Sequence, residues 1–430
     1  MRRQVLIASA LLLGTALGAV WWLGGDRAER RDPAGILIPE KVAGPVVVER
    51  SLASGPGTVL PMADPDAGVL SDKGLKEINA LFTATKSRAL LVWHAGALQL
   101  ELYAPDVQAG DMLEASGLMP AIMALLTGQA LRDGVLPGLD TGIATWVPEW
   151  AGDDRGRITV RQLLEGTSGL TLPATAPDGN AIAWTLSAKL DSEPGSRFAP
   201  NLFEAQVLGL VLSRAAGVPA ADLLSNKLWQ PMGARPGSLT AGGGDGAAYL
   251  QCCVKATARD WLRPGLLLLL EGGMVGGTQL VPTPWLDQME RPISHARHDG
   301  WRVRLGWPFE PVNGNGAKKP FSDGDTIFLS GADGSRLYVS KGRDLVVLRL
   351  GPAVPDWDES ALANLVSRSL TTPPAEFRSK NGMKVGRARD LNGQVEMPPI
   401  VKPPPVPKVT VEPLGPPPGG ASNPVPAADR

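Results

Sequence analysis

The chemistry this chain could perform starts from one serine and the residue three positions beyond it. Ser116 stands just before an apolar run, Ala121 to Leu131, whose spacing is helical and which ends near the Asp133-Gly134 breaker. A serine that enters the first turn of such a helix lies beside free backbone N–H groups, where an oxyanion formed at a carbonyl can be stabilised. On a helix the residue at i+3 shares a face with residue i, so position 119 is the natural place for an activating base. That residue is Met119, and a thioether takes no proton at neutral pH. The spacing therefore supplies a nucleophile position without its base. Pro120 adds that the first regular turn starts after the serine, because proline has no N–H to bond back to the carbonyl of Ser116. In isolation a serine before an apolar helix is more often an N-cap than a nucleophile.

The elements that must position this serine follow from hydrophobic patterning. A short helix is expected around Lys76 to Thr85, and two apolar runs within Ala89 to Tyr103 flank the His94-Ala95-Gly96 turn as a β-hairpin. In Arg157 to Leu170, RITVRQLLEGTSGL, Val160, Leu163 and Leu164 form one helical face that Ser168-Gly169 would stop. Leu266 to Leu270 are all leucine, which no single amphipathic face can hold. The helix is buried nearly all round, or leaves one leucine exposed, and the run is too short to span a membrane. Leu305 to Pro308 and Thr326 to Leu350 supply the closing strands.

Taken together these segments resemble the serine β-lactamase, penicillin-binding protein and esterase superfamily, with most likeness to its class C-like branch, which includes the 6-aminohexanoate-oligomer hydrolases. The likeness runs from about Asp72 to Ser369. It rests on the I-T-V-R-x-L-L-x-x-T-S-G-L pattern of Arg157 to Leu170, on LWQPMGA at Leu228 to Ala234, and on A-T-A-R-D at Ala256 to Asp260. It implies a mixed α/β (α+β) fold, with an antiparallel sheet between helical layers and a mainly helical subdomain, the site lying in the cleft between them.

The resemblance also implies three chemical positions. S-x-x-K falls on Ser116 and Met119. The Tyr of Y-x-N, counted from Phe198, falls on Pro200; a one-residue slip gives Ala199 and Asn201 instead. The third motif, K-T-G or H-x-G, falls on Ala332-Asp333-Gly334. Lysine, tyrosine and the third-motif cation are all missing. Backbone N–H groups of Ser116 and Ser335 are where the likeness puts an oxyanion hole, and Asp111, Glu114 and Asp333 are the nearby carboxylates that could replace the base or remain solvated.

Length and charge bound the rest. The chain has 430 residues, 43% of them hydrophobic, enough for a sizeable core. Its 42 basic and 43 acidic residues give no polyelectrolyte signature for nucleic acid. Arg2 and Arg3 precede an uncharged run from Val5 to Leu23 that ends on Trp21 and Trp22. At about 1.5 Å per residue this run nearly crosses a hydrocarbon core of roughly 30 Å. It reads as a single inner-membrane anchor with the remainder in the periplasm. A cleaved signal peptide, suggested by Ala16-Leu17-Gly18, is the alternative. The expected organisation is an anchor over 1–25, a stalk over 26–71, the hydrolase-like domain over 72–370 and a Pro-rich tail over 371–430, extended and polyproline-like. That tail is either a spacer or a ligand for a proline-binding groove.

No P-loop or dinucleotide fingerprint is present, and His94, His295 and His298 have no cluster of carboxylates or cysteines with them, so neither cofactor nor metal is expected. Cys252 and Cys253 are adjacent, too near for an ordinary bridge although vicinal disulfides exist. Two functions of different class follow. One is a membrane-tethered, catalytically degenerate envelope protein that binds a peptidoglycan peptide, a small amide or ester, or an envelope protein partner. The other is an active serine hydrolase of esters, amides or β-lactams that uses Ser116.

Overall fold

A strand as apolar as Ala89–Trp93 needs cover on both faces, and every residue of Ala89–His94 is buried. The computed structural model describes residues 47–52, 57–64, 68–173, 179–273, 279–290, 297–298, 301–302, 308–311, 320–331 and 333–371. In chain order its strands are β1 (Val47–Leu52), β2 (Ala89–His94), β3 (Ala97–Tyr103), β4 (Leu113–Glu114), β5 (Leu170–Thr171), β6 (Lys189–Leu190), β7 (Gly237–Gly242), β8 (Val254–Ala256), β9 (Arg297–His298), β10 (Trp301–Arg302), β11 (Pro308–Pro311), β12 (Ile327–Ser330), β13 (Arg336–Ser340) and β14 (Leu345–Leu350). The helices that bear on the site are α1 (Asp72–Ala84), α2 (Met119–Arg132), α3 (Val160–Glu165), α4 (Phe203–Ala216), α5 (Ala258–Leu269) and α6 (Glu359–Ser369).

Eight strands form one antiparallel sheet in the order β3-β2-β14-β13-β12-β11-β10-β9. Side chains alternate across it. Leu91, Trp93, Val346 and Leu348 join the core that holds Trp261 and Leu262 of α5. Leu90, Val92, Tyr338 and Val347 join Ile78 and Phe82 of α1 and Leu362 and Val366 of α6. The sheet thus lies between helical layers, the architecture that the family likeness implies. The hairpin at His94 forms as expected from its two apolar runs, since β2 and β3 pair from Ala89↔Tyr103 to His94↔Ala97.

Two segments of the family pattern serve the fold. Thr257 caps α5, and its hydroxyl donates to Asp260 at 2.6 Å, while Arg263 donates to the same carboxylate at 3.0 Å from a nearly fully buried position. Leu266 to Leu269 are all buried and Leu270, the cap, is partly exposed, so the leucine run packs as its composition required. In α3, Thr159 and Gln162 form a reciprocal capping box. The helix ends at Gly166 in the left-handed region (φ 69°) and not at Ser168-Gly169, because Ser168 turns inward to donate to Glu204.

The stalk expectation is corrected in part. β1 lies inside 26–71, pairs along its whole length with β7, and buries Leu52 completely. A short Val-containing stretch with no helical period describes an edge strand as well as a stalk. Among the described residues no single helix is long and apolar enough to cross a membrane. The expected span at Val5 to Leu23 and the Pro-rich stretch at Met397 to Pro426 lie outside the described residues.

Candidate active site

Strand register brings the serine to its neighbours. β4 pairs with β8 through Leu113↔Ala256 and Glu114↔Lys255, and Trp261 Nε1 donates to the Leu113 carbonyl at 2.7 Å, which pins the strand on α5. Two residues further along the same antiparallel register, Ser116 faces Cys253. The Cys253 N–H donates to Ser116 Oγ at 3.0 Å and to Glu114 Oε1 at 3.3 Å, and Ser116 Oγ donates to Glu114 Oε1 at 2.8 Å. Ser116 is only 4% exposed, whereas Glu114 is open to solvent. Of the three nearby carboxylates, Glu114 alone takes the serine's proton in a hydrogen bond. Asp111 accepts from the Gln108 N–H of its own loop at 2.9 Å.

Ser116–Leu118 form a single 3-10 turn that leads into α2, with Pro120 inside the first two helical positions, where a missing N–H costs nothing. The helix therefore begins after the serine. Met119 is fully buried in the apolar core. A lysine there would have to lose most of its hydration, which disfavours its charge.

Asp333 occupies the ground where a reacting carbonyl oxygen would need donors. Its Oδ2 accepts from the Gly117 N–H at 3.1 Å, and its Oδ1 accepts from the Ser335 N–H at 3.0 Å and the Ser335 hydroxyl at 2.5 Å. The approach is possible only because position 117 is glycine: a Cβ there would lie 2.2 Å from Gly331 Cα and 2.7 Å from Asp333 Oδ1. This bears on the expected oxyanion hole of Ser116 and Ser335 through its Ser335 half. The N–H of Ser335 is committed to the chain's own carboxylate, a consequence of the turn between β12 and β13 folding back on itself. Ala332, the third-motif position, lies outside the described residues.

Two buried arginines, opposite each other in the β13–β14 register, shape that turn. Arg336 donates to the carbonyls of Gly331 (2.6 Å) and Ser335 (2.9 Å), and Arg349 donates to those of Gly334 (2.6 Å) and Pro352 (3.0 Å). Burial, and then the charge of Arg336, pull the Arg349 guanidinium down to about 10, so it remains a cation at neutral pH. Gly334 itself adopts φ 93°, with the Gly351 carbonyl 2.4 Å from where a Cβ would be.

The second motif contributes no proton carrier. Pro200 is buried against Gly166. Asn201, the residue of the slipped register, spends its amide on structure: Nδ2 donates to the Leu170 carbonyl at 3.0 Å and Oδ1 accepts the Phe203 N–H at 3.1 Å. Burial lowers the proton affinity of His94, which is 1% exposed in β2. Among the described residues no group of three or more His, Cys, Asp or Glu is placed to hold a metal ion; His295 lies outside them. A cleft of about 260 Å³ is lined by Arg88, Leu113, Glu114, Asp333, Leu350 and Gly351, and so meets the hydrogen-bond partner of Ser116 but not the buried serine itself. Sequence reasoning missed Cys253 as a partner of Ser116, since a two-residue strand such as β4 carries no legible register.

The family model described as Beta-lactamase matches residues 121–351, a span that begins just after Ser116. Among solved structures, a protein described as a 6-aminohexanoate-dimer hydrolase from Bacillus anthracis superposes with a TM-score of 0.60 at 17% identity, covering 75% of this chain and 89% of that one. The D-alanine carboxypeptidase AmpC from Burkholderia cenocepacia gives 0.54 at 18% identity, covering 71% and 100%. EstCE1, a hydrolase with promiscuous acyltransferase activity, gives 0.54 at 18% identity, covering 69% and 97%. At these identities the likeness is one of fold. No curated protein matches the sequence.

Proposed function

The chain belongs to the beta-lactamase family, and from that premise we propose that it is a catalytically degenerate member, tethered to the membrane, that binds a ligand in the cleft lined by Glu114 and Asp333 without turning it over. The observation that carries this reading is the Asp333 carboxylate, which holds the N–H groups of Gly117 and Ser335. A negative charge on those donors opposes a second one developing on a substrate oxygen. Buried Met119, structural Asn201 and packed Pro200 add no base or proton shuttle. Helpers of that kind contribute factors of roughly 100 to 10,000 each and act as a unit. The names of the structural neighbours, a 6-aminohexanoate-dimer hydrolase and a D-alanine carboxypeptidase, suggest a small amide or ester or a peptidoglycan peptide as ligand. An envelope protein partner is the other occupant that fits a tethered binding protein.

The purified full-length chain should show no hydrolysis of β-lactams, p-nitrophenyl esters or short D-amino-acid amides, and Met119→Lys should not restore any. A second reading rests on the 2.8 Å hydrogen bond from Ser116 to Glu114, which makes the carboxylate the candidate base of an active hydrolase of esters, amides or β-lactams. Covalent labelling of Ser116 by a fluorophosphonate, abolished in Ser116→Ala and in Glu114→Gln, would establish that reading and sink the first.

The tether rests on the basic flank and uncharged run at the N-terminus. A disulfide among the described residues fits an exported, oxidising compartment. A reporter fused after Arg430 should register as periplasmic, with detergent and not high salt needed for extraction. A cytoplasmic signal from that fusion overturns the topology.

A further inference from the structure

We propose that Cys252 and Cys253 form a redox-sensitive lock on the Ser116 site, holding the Cys253 amide on the serine when joined and releasing it when a dithiol reduces them. The two cysteines, the only ones in the chain, are bonded to each other. An ordinary disulfide stabilises mainly by closing a long loop in the unfolded chain, and that benefit shrinks with loop length. A ring containing one peptide unit has almost none of it. What the bond can do is constrain its own backbone, and the backbone it constrains is the one that touches the serine.

Cys253 has φ 68°, a left-handed conformation that residues with a side chain adopt at a cost. In that conformation its N–H points to Ser116 Oγ (3.0 Å) and Glu114 Oε1 (3.3 Å), while its carbonyl accepts the Thr240 N–H of β7 at 3.2 Å. One residue thereby ties β7 to both polar groups of the site. Cys252 is 6% exposed and Cys253 is the more open of the two, so an attacking thiolate approaches from the Cys253 side.

The exchange balances with a dithiol as reductant. Its thiolate attacks one sulfur and breaks the Cys252–Cys253 bond to give a mixed disulfide. Its second thiol then displaces the remaining sulfur, leaving two thiols on the chain and a cyclic disulfide on the reductant. Freed from the ring, Cys253 relaxes to negative φ and its N–H turns away from Ser116. This lock does not depend on whether Ser116 is catalytic.

Hydrogen exchange on the native full-length chain, with and without dithiothreitol, tests it alongside alkylation by iodoacetamide. Before reduction neither cysteine should be alkylated, and afterwards both should be. Exchange in a peptide covering 250–256, which holds the donor, should speed up about tenfold on reduction, the loss expected for one hydrogen bond, while a peptide from 121–131 stays unchanged. Cys252→Ser should match the reduced parent and ignore dithiothreitol. Alkylation without reductant, or reduction that leaves the 250–256 peptide unaffected, overturns the proposal. The parent chain's own response decides the matter should Cys252→Ser fail to fold.

Discussion

Glu204→Gln is expected to remove most of the decline in stability that the parent chain shows between about pH 4.5 and pH 8. Glu204 is 2% exposed in the first turn of α4, and burial pushes its carboxyl from 4.5 up to about 8, against the opposing pull of hydrogen bonds from the Ser168 hydroxyl and from the N–H groups of Asn201 and Ser168. The folded chain keeps this proton over a range in which the unfolded chain has lost it. Stability from this group is therefore full below pH 4.5, falls as pH rises, and is lost above about pH 8. At roughly 1.4 kcal/mol per unit, the window is worth about 5 kcal/mol, an order-of-magnitude figure. Glutamine has nearly the same shape, keeps an acceptor for Ser168, and does not ionise. Urea midpoints at pH 5, 6.5 and 8 would measure the effect; an unchanged slope in Glu204→Gln would refute it. Asp344, raised to about 6 by burial, adds a smaller fall of the same sign that the variant retains.

The second large effect is expected at the buried pair Arg336–Glu359. Arg336 Nε donates to Glu359 Oε2 at 2.9 Å, with the two side chains 4% and 8% exposed, and the carboxylate also accepts from Ser330 and Tyr338. Glu359→Ala leaves a buried guanidinium without its hydrogen-bonded counter-charge, a loss of about 3–5 kcal/mol. That is a large part of the roughly 5–15 kcal/mol that holds a typical domain folded. The double variant Arg336→Leu/Glu359→Leu should cost less than Glu359→Ala, since removing both charges removes the desolvation problem. A Glu359→Ala loss below about 1 kcal/mol would show instead that water reaches the arginine. Because Arg336 also holds the carbonyls of Gly331 and Ser335, the single variant should loosen the grip of Asp333 on Gly117, seen as faster exchange of the Gly117 and Ser335 amides.

These two predictions fall on residues that sequence reading passed over. Glu204 looks like a solvated first-turn glutamate; only the packing of α4 against α3 and the inward turn of Ser168 bury it. Arg336 and Arg349 stand in strands whose sequence gives no sign that these charges are buried. The sheet proves to be covered on both faces near its third-motif turn, and both charges are enclosed. By contrast the β2–β3 hairpin, the helix after Ser116 and the buried leucine helix were legible, because each rests on neighbours within a few residues: apolar runs about a Gly turn, a helical period, a Pro at the helix start.

The sequence by itself determined that a serine stands before a core helix with Met119 where a base would be needed, and that the packing segments resemble a hydrolase family whose chemical residues are absent. Only the tertiary structure decided what those vacated roles are given to. Cys253, 137 residues away, donates to the serine, and Asp333, 216 residues from Gly117, takes the backbone donors. Residue type is a local property, legible one position at a time. The partner a buried N–H or hydroxyl finds depends on which distant strand and turn are laid beside it, and a register set by two-residue strands and glycine contacts leaves almost no trace in the order of the residues.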